Sequence, residues 1–408
     1  MANVSSSNGI EKYPLLRFNG YNNPWMTQKL GDLGTFIKGA PLSKADISNE
    51  GNPFILYGEL YTTYSEVTHS VKRKTDKTVE QQFYSKIGDV IMPTSGETPE
   101  DIATASCIML PDVILAGDLL IYRTEQIDGR FVSYAIKNKV NKQISSVAQG
   151  KSVVHVRADE LAKICITFPA LDEQKKILNL LELLDTRIAT QQSLIETLKK
   201  YKRGVVKTLL DPKQNQRKGV IWTTDTIGKL GTFIKGAALS KADISDFGTP
   251  FVLYGELYTT YKEVVRSIAR TTQASVDDVY FSKVGDVVIP TSGETPEEIS
   301  TASCIMVPNV ILAGDLNIYR STIVDGRIMS YLLNHIVNAQ IARVAQGKSV
   351  VHVQASEVGK ISITYPDHNE QERIAQILEL IDNRIAVSEK ALISMQMMKK
   401  AFLQQLFI

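Results

Sequence analysis

Two kinds of motif in this sequence contain residue types that could take part in catalysis. Gly-Lys-Ser occurs at 150–152 and at 347–349, as at the end of a phosphate-binding loop, but both copies lack the upstream glycine that such a loop requires. His155 and His352 lie in Val-Val-His-Val runs typical of strands, where a histidine more often makes a structural hydrogen bond than acts as a base. No Ser-His-Asp order or nuclease carboxylate cluster accompanies them. We therefore predict that the chain is not an enzyme.

The cysteines and the composition exclude further functional classes. Cys107, Cys165 and Cys304 lie in apolar runs, which predicts buried thiols and no metal site. The chain is 43% hydrophobic and 22% charged, as globular proteins are, and no apolar run approaches the ~18 residues of a membrane span. The N-terminus has no signal-peptide pattern. We expect a cytoplasmic protein that does not contact membranes.

Polar loops remain as candidate binding sites. Ammonium and hydroxyl groups surround glycines at 34–46 and 56–64, and a Gln-Gly-Lys-Ser turn occupies 149–152. Glutamine can bond adenine and lysine can reach guanine, while both lysine and hydroxyl groups can contact phosphates. The alternative, that these are ordinary surface loops, stays open. The predicted DNA-binding residues are Lys38, Lys44, Tyr61, Tyr64, Gln149 and Lys151, with Lys235, Lys241, Tyr258, Tyr261, Gln346 and Lys348.

The charge balance gives no separate support for DNA binding. The formal net charge is +2, and residues 29–168 contain 16 Lys and Arg against 17 Asp and Glu. Proteins that neutralise several phosphates usually carry a basic excess. If DNA is the ligand, basic groups must be arranged locally, or another subunit must supply much of the phosphate contact.

These loops occur twice because the chain contains an internal repeat with a constant offset of 197 residues. Between 31–66 and 228–263, 29 of 36 positions are identical. Solenoid repeats have periods of about 20–50 residues, so this repeat is instead a duplicated domain with its connector. Each copy begins with a mixed α and β part. In the first copy short β-branched runs predict strands, and the predicted elements are strands at 54–57, 88–93, 105–110, 118–123 and 163–168, with helices starting at Thr98–Pro99 and spanning 131–148.

A long helix is predicted to follow each copy, after Pro169 and after Pro366. Apolar residues recur with heptad spacing, and eight of ten seam positions are apolar in each helix. The polar exceptions fall at the same places, at Gln191 and Lys202 in the first helix and at Ser388 and Lys399 in the second. We predict an antiparallel pair, about 50 Å long for ~33 residues, whose register is set by Gln191 and Ser388. The alternative is a long amphipathic helix on each globular core.

The predicted fold class is therefore α+β, with two duplicated mixed α/β domains separated by a long antiparallel two-helix coiled coil. A polar connector at 211–219 ends the first helix. The predicted boundaries are an N-terminal segment 1–24, a first domain 25–170, a central helical spacer 171–221, a second domain 222–367 and a C-terminal helical spacer 368–408.

Three segments resemble those of a known family, the specificity subunits of type I restriction–modification enzymes. YPLLRFNGYNNPW at 13–25, followed by a Leu-Gly pair, is similar to the N-terminal signature of these subunits. The segments 168–210 and 365–407 are similar to their central and C-terminal helical regions, including the Glu-Gln after the proline and the Leu/Ile-Asp-x-Arg-Ile run. In this order the resemblance covers nearly the whole chain.

The resemblance implies a non-catalytic DNA-recognition subunit. Each domain would be a target-recognition domain that reads half of a split site in double-stranded DNA. The helices would set the spacing and bind two methyltransferase subunits, and restriction subunits would join them. S-adenosylmethionine and ATP would bind to those partners, leaving this chain without a cofactor. Two alternatives remain, a coiled-coil adaptor whose duplicated domains bind protein and a self-contained methyltransferase or nuclease.

The near-identity of the two copies departs from the family pattern, in which the two recognition domains usually differ. Similar domains related by an antiparallel helix pair should read similar half-sites in inverted order. We therefore predict a near-palindromic split site, with half-site centres about 35–50 Å or ~10–14 base pairs apart. The segments 67–83 and 264–280 differ most, and they would break the symmetry if they reach bases.

Overall fold

The computed structural model describes residues 2–3, 13–150, 153–215, 217, 219–347 and 351–408. The chain forms two compact units, of which the first comprises Met1–Gln191 with Ala391–Ile408 and the second comprises Gln192–Lys390. Each unit therefore contains one copy of the repeated domain and a segment of each long helix. The boundaries predicted from the sequence place each long helix in a spacer of its own, whereas each compact unit combines a domain with segments of both helices.

The first domain is built from short strands and helices, as the β-branched runs and capping residues indicate. All five strands predicted for it are present. Its strands are Leu16–Arg17, Met26–Lys29, Gly34–Lys38, Asn52–Leu56, Val67–Thr68, Arg73–Thr75, Asp89–Pro93, Ser95–Gly96, Ser106–Ile108, Ile114–Ala116, Leu119–Thr124, Val154–His155 and Cys165–Phe168. Its helical segments are Leu30–Leu33, Lys44–Asp46, Glu59–Thr62, Gln81–Phe83, Pro99–Ile102, Gly129–Ala135, Ile136–Val140, Asn141–Val147 and Ala158–Leu161.

Two sheets organise this domain. A five-stranded sheet has the order Gly34–Lys38, Leu119–Thr124, Asp89–Pro93, Ser106–Ile108, Val67–Thr68, and only its last pair is parallel. A three-stranded sheet places Asn52–Leu56 between Ile114–Ala116, which is parallel to it, and Arg73–Thr75, which is antiparallel. Arg73–Thr75 is thus an edge strand of the smaller sheet.

The second domain repeats this arrangement with the same sheet orders. Its strands are Trp222–Thr226, Gly231–Lys235, Thr249–Leu253, Val264–Val265, Thr271–Thr272, Asp286–Pro290, Ser292–Gly293, Ser303–Ile305, Ile311–Ala313, Leu316–Ser321, Val351–His352 and Ser362–Pro366. Its helical segments are Ile227–Leu230, Lys241–Asp243, Glu256–Thr259, Asp278–Tyr280, Pro296–Ile299, Gly326–His335, Asn338–Val344 and Ala355–Lys360.

Local sequence signals account for several of these elements. Thr98 and Thr295 cap the short helices that begin at Pro99 and Pro296, and a reciprocal carboxylate closes each capping box. The helix predicted across 131–148 is present as a run from Gly129 to Val147 with a π-helical turn in its middle. In the second copy the corresponding run is interrupted between His335 and Asn338.

The long helices span Leu171–Leu210 and His368–Leu406, immediately after the two prolines. No seam position of the predicted heptads is exposed. In the first unit Leu178 and Leu181 share a core with Leu406, and in the second unit Leu210 shares a core with Leu378. The start of one helix thus packs with the end of the other in each unit, which confirms antiparallel packing. Ser388 is buried and Gln191 is half-buried, and their role in setting the register stays a prediction.

The Glu-Gln pair that starts each long helix attaches the helix to its domain. Glu173 accepts two hydrogen bonds from Arg17, both at 2.8 Å, and both side chains are buried. Gln174 accepts the backbone N–H of Asp128 at 2.9 Å, and Gln371 makes the equivalent bond to Asp325 at 2.7 Å. A buried amide that is satisfied in this way fixes the helix start against the domain.

Among the described residues, no helix is long and apolar enough to cross a membrane. The cysteine prediction holds for Cys107 and Cys304, which are buried, whereas Cys165 is only half-buried. Burial raises the pKa of the Cys107 and Cys304 thiols well above the usual range, so these groups stay protonated at neutral pH.

Candidate nucleic-acid interface

An open cleft of about 680 Å³ lies beside the edge strand of the first domain. Three elements form it, the turn Lys44–Asp46, the helix Glu59–Thr62 and the strand Arg73–Thr75. Its charged lining residues are Lys44, Glu59, Arg73 and Asp118. The cleft therefore brings one predicted DNA-binding residue, Lys44, together with charged groups that the sequence did not single out.

A buried carboxylate holds the arginine of this cleft. Glu59 is 3% exposed and accepts the backbone N–H of Leu56 at 3.1 Å. Its other oxygen lies 3.2 Å from Nε of Arg73. Because this contact uses Nε, the two terminal nitrogens of the guanidinium are not occupied by Glu59. An arginine fixed by one edge can present its other edge to a ligand.

The second domain contains the same cleft with a volume of about 750 Å³. Glu256 is 4% exposed and accepts the backbone N–H of Leu253 at 3.1 Å. Arg270 donates from Nε to Glu256 at 2.7 Å, and Lys241, Glu294 and Asp315 complete the charged lining. The arginine–glutamate arrangement is therefore a property of both copies.

The four predicted lysines that the structure describes are exposed. Lys38 and Lys235 end the strands Gly34–Lys38 and Gly231–Lys235, which are at an edge of the larger sheet. Lys44 follows Ser43, whose side chain forms a capping box with Asp46 and so fixes the turn. Lys241 stands in the equivalent turn. These ammonium groups are accessible to a large ligand.

The predicted tyrosines are half-buried, and three of the four hydroxyls have partners inside their own domain. Tyr61 donates to the carbonyl oxygen of Ser95 at 2.5 Å. Tyr64 and Tyr261 accept backbone N–H groups from Lys72 at 3.4 Å and Ala269 at 3.2 Å. Burial raises the pKa of all four hydroxyls, including that of Tyr258, which lines the second cleft. Tyr64 and Tyr261 thus support the segment that carries Arg73 or Arg270.

The described residues that flank the Gln-Gly-Lys-Ser motifs pair in antiparallel fashion, which does not match a phosphate-binding loop of the strand–loop–helix type. Gln149 exchanges two backbone hydrogen bonds with His155, at 2.9 and 2.8 Å, and Gly150 adopts a φ of +141° that favours glycine. Gln346 pairs with His352 in the same way. Both glutamine side chains are exposed. Lys151 and Lys348 lie outside the described residues.

Sequence reasoning missed Arg73 and Arg270, although a signal was present. Between 67–83 and 264–280 only five of 17 positions are identical, in contrast to the near-identity elsewhere. Arg73 and Arg270 are the only charged residues among those five. A retained arginine in a diverged segment indicates a constraint, and its buried glutamate partner is part of that constraint.

Exposed apolar side chains on the long helices form a second surface feature. In the second unit Leu380 is 70% exposed and Val387 is 63% exposed. In the first unit Leu183 is 58% exposed and Met397 is 67% exposed. Large apolar groups that stand out from a helix in this way are typical of protein-binding surfaces.

Within the described part of the chain, no group of three or more histidine, cysteine or acidic residues could hold a metal ion. The clefts combine ammonium, guanidinium, carboxylate and hydroxyl groups, which can bind polar and charged groups of a ligand through hydrogen bonds.

Comparison with known proteins gives consistent results. The family described as type I restriction modification DNA specificity domain matches residues 22–200 and 220–395. The chain is 22% identical over 414 residues to the type I restriction enzyme MjaVIII specificity subunit of Methanocaldococcus jannaschii, and the match covers 94% of this chain and 92% of that protein.

Two solved structures share the fold. The S subunit of a type I restriction–modification system from M. genitalium matches with a TM-score of 0.63 at 18% identity, covering 97% of this chain and 99% of that chain. A structure reported for complex assembly and conformational transition of the type I R-M system matches with a TM-score of 0.56 at 15% identity, covering 94% and 98%. Both matches extend over two domains and the long helices.

Proposed function

Because this chain belongs to the type I restriction–modification DNA specificity family, we propose that each of its two domains reads one half of a split DNA site. The observation that carries the proposal is the repeated cleft, in which a buried glutamate holds an arginine beside an exposed lysine. Arginine bonds the O6 and N7 atoms of guanine in the major groove through two parallel donors. Arg73 and Arg270 are therefore the residues we assign to guanine, one in each half-site.

The carboxylates of the clefts favour a base over a phosphate as the group that enters. Asp118 and Asp315 line the clefts and accept hydrogen bonds from the hydroxyls of Ser95 and Ser292. A carboxylate of this kind repels a phosphate but can accept a further hydrogen bond from the N4 amino group of cytosine. Contacts to phosphates would instead use the exposed lysines around the cleft, such as Lys38 and Lys44.

We propose further that the two half-sites are nearly the same. The divergent segment could break this symmetry, but one of its departures, and another just before it, contact the second long helix. Arg266, which replaces His69, pairs with Glu379 at 2.8 Å, and Lys262, beside that segment, pairs with Glu389 at 3.0 Å. Both cations pair with carboxylates of the long helix inside the second unit. These differences between the copies therefore lie outside the clefts, which supports similar reading of the two half-sites. An inverted order of the half-sites would follow from the antiparallel helices predicted from the sequence.

The same proposal covers the partners and the chemistry. Methylation and cleavage would be carried out by methyltransferase and restriction subunits, which would bind S-adenosylmethionine and ATP, while this chain would supply recognition without catalysis or a cofactor. The exposed apolar residues of the long helices, Leu380 and Val387 among them, support this region as the binding surface for two methyltransferase subunits. A protein that shares the fold comes from a structure reported for complex assembly of the type I R-M system.

Binding by the purified complex with its methyltransferase subunits tests the proposal. Fluorescence anisotropy should show tight binding to DNA that carries the motif modified in the host. Duplexes with one half-site scrambled are the matched control, and they should bind much more weakly. Equal binding of all duplexes would contradict a recognition role and favour the alternative, a coiled-coil adaptor whose domains bind protein.

A further inference from the structure

Three lysines lie on or next to the edge strand beside the first cleft. Lys72 and Lys74 are exposed on either side of Arg73, and Lys77 follows after a short turn. The strand Arg73–Thr75 pairs with Asn52–Leu56 on one side, and on its other side the backbone N–H of Ser48 donates to the carbonyl oxygen of Lys74 at 2.9 Å. The side chains of the three lysines are exposed, and we call the segment 72–77 the basic edge.

Strand geometry separates the lysines from the arginine. Side chains alternate between the two faces of a strand, and the observed exposure follows this rule. Lys72 and Lys74 are exposed, whereas Arg73 between them is half-buried and turns to Glu59. This short segment thus places a guanidinium in the cleft and two ammonium groups outside it.

The positive charges of the basic edge are poorly neutralised by carboxylates of the protein. In the described part of the chain neither Lys72 nor Lys74 has an ion pair. The contact of Lys77 with Asp76 is long, at 3.7 Å, and both side chains are more than half exposed, at 51% and 68%. Exposed pairs of this kind are worth little, so the ammonium groups remain available to an external anion.

The second domain has no equivalent edge. At the positions of Lys72, Lys74 and Lys77 it has Ala269, Thr271 and Ala274. The hydroxyl of Thr271 donates to the carbonyl oxygen of Ser245 at 2.6 Å and so is used within the domain. Arg270 keeps its place in the cleft. The two domains therefore share the arginine and differ in the cations that flank it.

We propose that the basic edge binds the DNA phosphate backbone next to the half-site read by the first domain, and that the second domain lacks this contact. The inference rests on the proposed function, because the edge adjoins the cleft assigned to base reading. Lysine suits this task, since a mobile point charge neutralises phosphate without reading sequence. The complex would then hold the two halves of a near-symmetric site by unequal electrostatic contacts.

The two copies supply the variants for a test. Lys72→Ala, Lys74→Thr and Lys77→Ala together give the first domain the residues that the second domain already accommodates at these positions. The reciprocal variant carries Ala269→Lys, Thr271→Lys and Ala274→Lys. Because each set occurs naturally in the same fold, we expect both complexes to assemble, and size-exclusion chromatography verifies this.

The measurement is the affinity of each complex for its target duplex as a function of salt concentration. Each phosphate contact contributes about 0.9 to the slope of log affinity against log salt. Two or three lost contacts should therefore make the loss of affinity between ~50 and ~200 mM salt about 10-fold to 40-fold smaller than in the wild type. The reciprocal variant should show a larger loss than the wild type, and the preferred sequence should not change in either.

Unchanged salt dependence in both variants would overturn the proposal. Loss of methyltransferase subunits from the first variant would also overturn it, because the basic edge would then bind an acidic protein surface. A wild-type complex that bound all sequences equally would contradict the proposed function, yet the slopes would still decide whether the basic edge meets phosphate.

Discussion

Lys202 of the first long helix donates a hydrogen bond to Glu263 of the second domain at 2.8 Å. The same ammonium group lies 2.6 Å from Asp382 of the second long helix and 5.0 Å from the ring centre of Tyr331. One buried lysine thus joins two helical segments and the domain within the second unit. Lys399 has the equivalent role in the first unit, where it contacts Asp185 at 2.5 Å and Glu66 at 3.3 Å.

Removing the Lys202 charge should destabilise the second unit strongly. Lys202→Met removes the ammonium group that pairs with the buried Glu263, and the loss of one partner of a buried pair costs about 3–5 kcal/mol. Urea unfolding followed by circular dichroism measures the change. Adding Glu263→Gln should recover much of the loss, because no buried charge then remains. Equal stability of Lys202→Met and the wild type would contradict a stabilising role of the Lys202 charge and would show that this seam position needs only a long side chain.

The pH dependence of stability should carry a signature of Glu263. Burial alone would raise the pKa of this carboxyl, but the hydrogen bond with His335 and the charge of Lys202 lower it to about 2. A lowered native pKa stabilises the fold above the unfolded pKa, near 4.5, and this contribution disappears as the pH falls towards 2. It amounts to about 3 kcal/mol.

Thermal unfolding between pH 6 and pH 2 measures this effect. The variant Glu263→Gln should lose less stability than the wild type over the acidic half of that range. His335→Asn, which introduces the residue of the first copy at position 138, is the control for the histidine. Parallel curves for Glu263→Gln and the wild type would contradict the assignment.

The arginines of the two clefts should each determine one base position. Arg73→Gln should cost about 1–3 kcal/mol of discrimination at a guanine of the first half-site, and Arg270→Gln should do the same in the second. Competition binding against duplexes with single base changes reports this. Lys38→Ala and Lys235→Ala serve as controls, since a phosphate contact weakens all sequences alike. Unaltered base preference in both arginine variants would show that the arginine–glutamate pair is structural.

Exposed apolar residues on the long helices should be needed for assembly. Leu380→Lys places a charge on a side chain that is 70% exposed, so the fold should be retained while binding of a methyltransferase subunit is weakened. Sedimentation of the reconstituted complex measures the stoichiometry. A deletion of 369–408 is a poorer test, because Leu406 and Phe407 belong to the core of the first unit. Normal assembly of Leu380→Lys would move the binding surface elsewhere.

The elements of the fold were largely predictable, whereas the partners of the polar residues were not. Strands and long helices follow from local periodicity, and a capping threonine or a proline marks their ends. The heptad pattern located Lys202 and Lys399 as exceptions. It could not indicate their glutamate partners, because Glu66 and Glu263 lie in the domains, far away in sequence. Which residues share a site depends on tertiary packing.

In the candidate site, too, residue types were predictable from the sequence and their partners were not. Lys44 and Lys241 were predicted from the composition of a loop, and the structure places both in clefts. The sequence predicts that the hydroxyls of Tyr64 and Tyr261 contact DNA, but those hydroxyls accept backbone N–H groups inside the domain. Tyrosine carries both an apolar ring and a polar group, so its type alone does not decide between packing and binding.

The most direct test of the central claim is the methylation pattern of the host genome. Long-read sequencing that detects modified bases should find one motif assignable to this system, with matching half-sites on the two strands and an unspecified gap between them. Deleting the gene for this chain should remove that modification and no other. Two unrelated half-sites would contradict symmetric reading, and a methylation pattern that did not depend on this chain would contradict its role in DNA recognition.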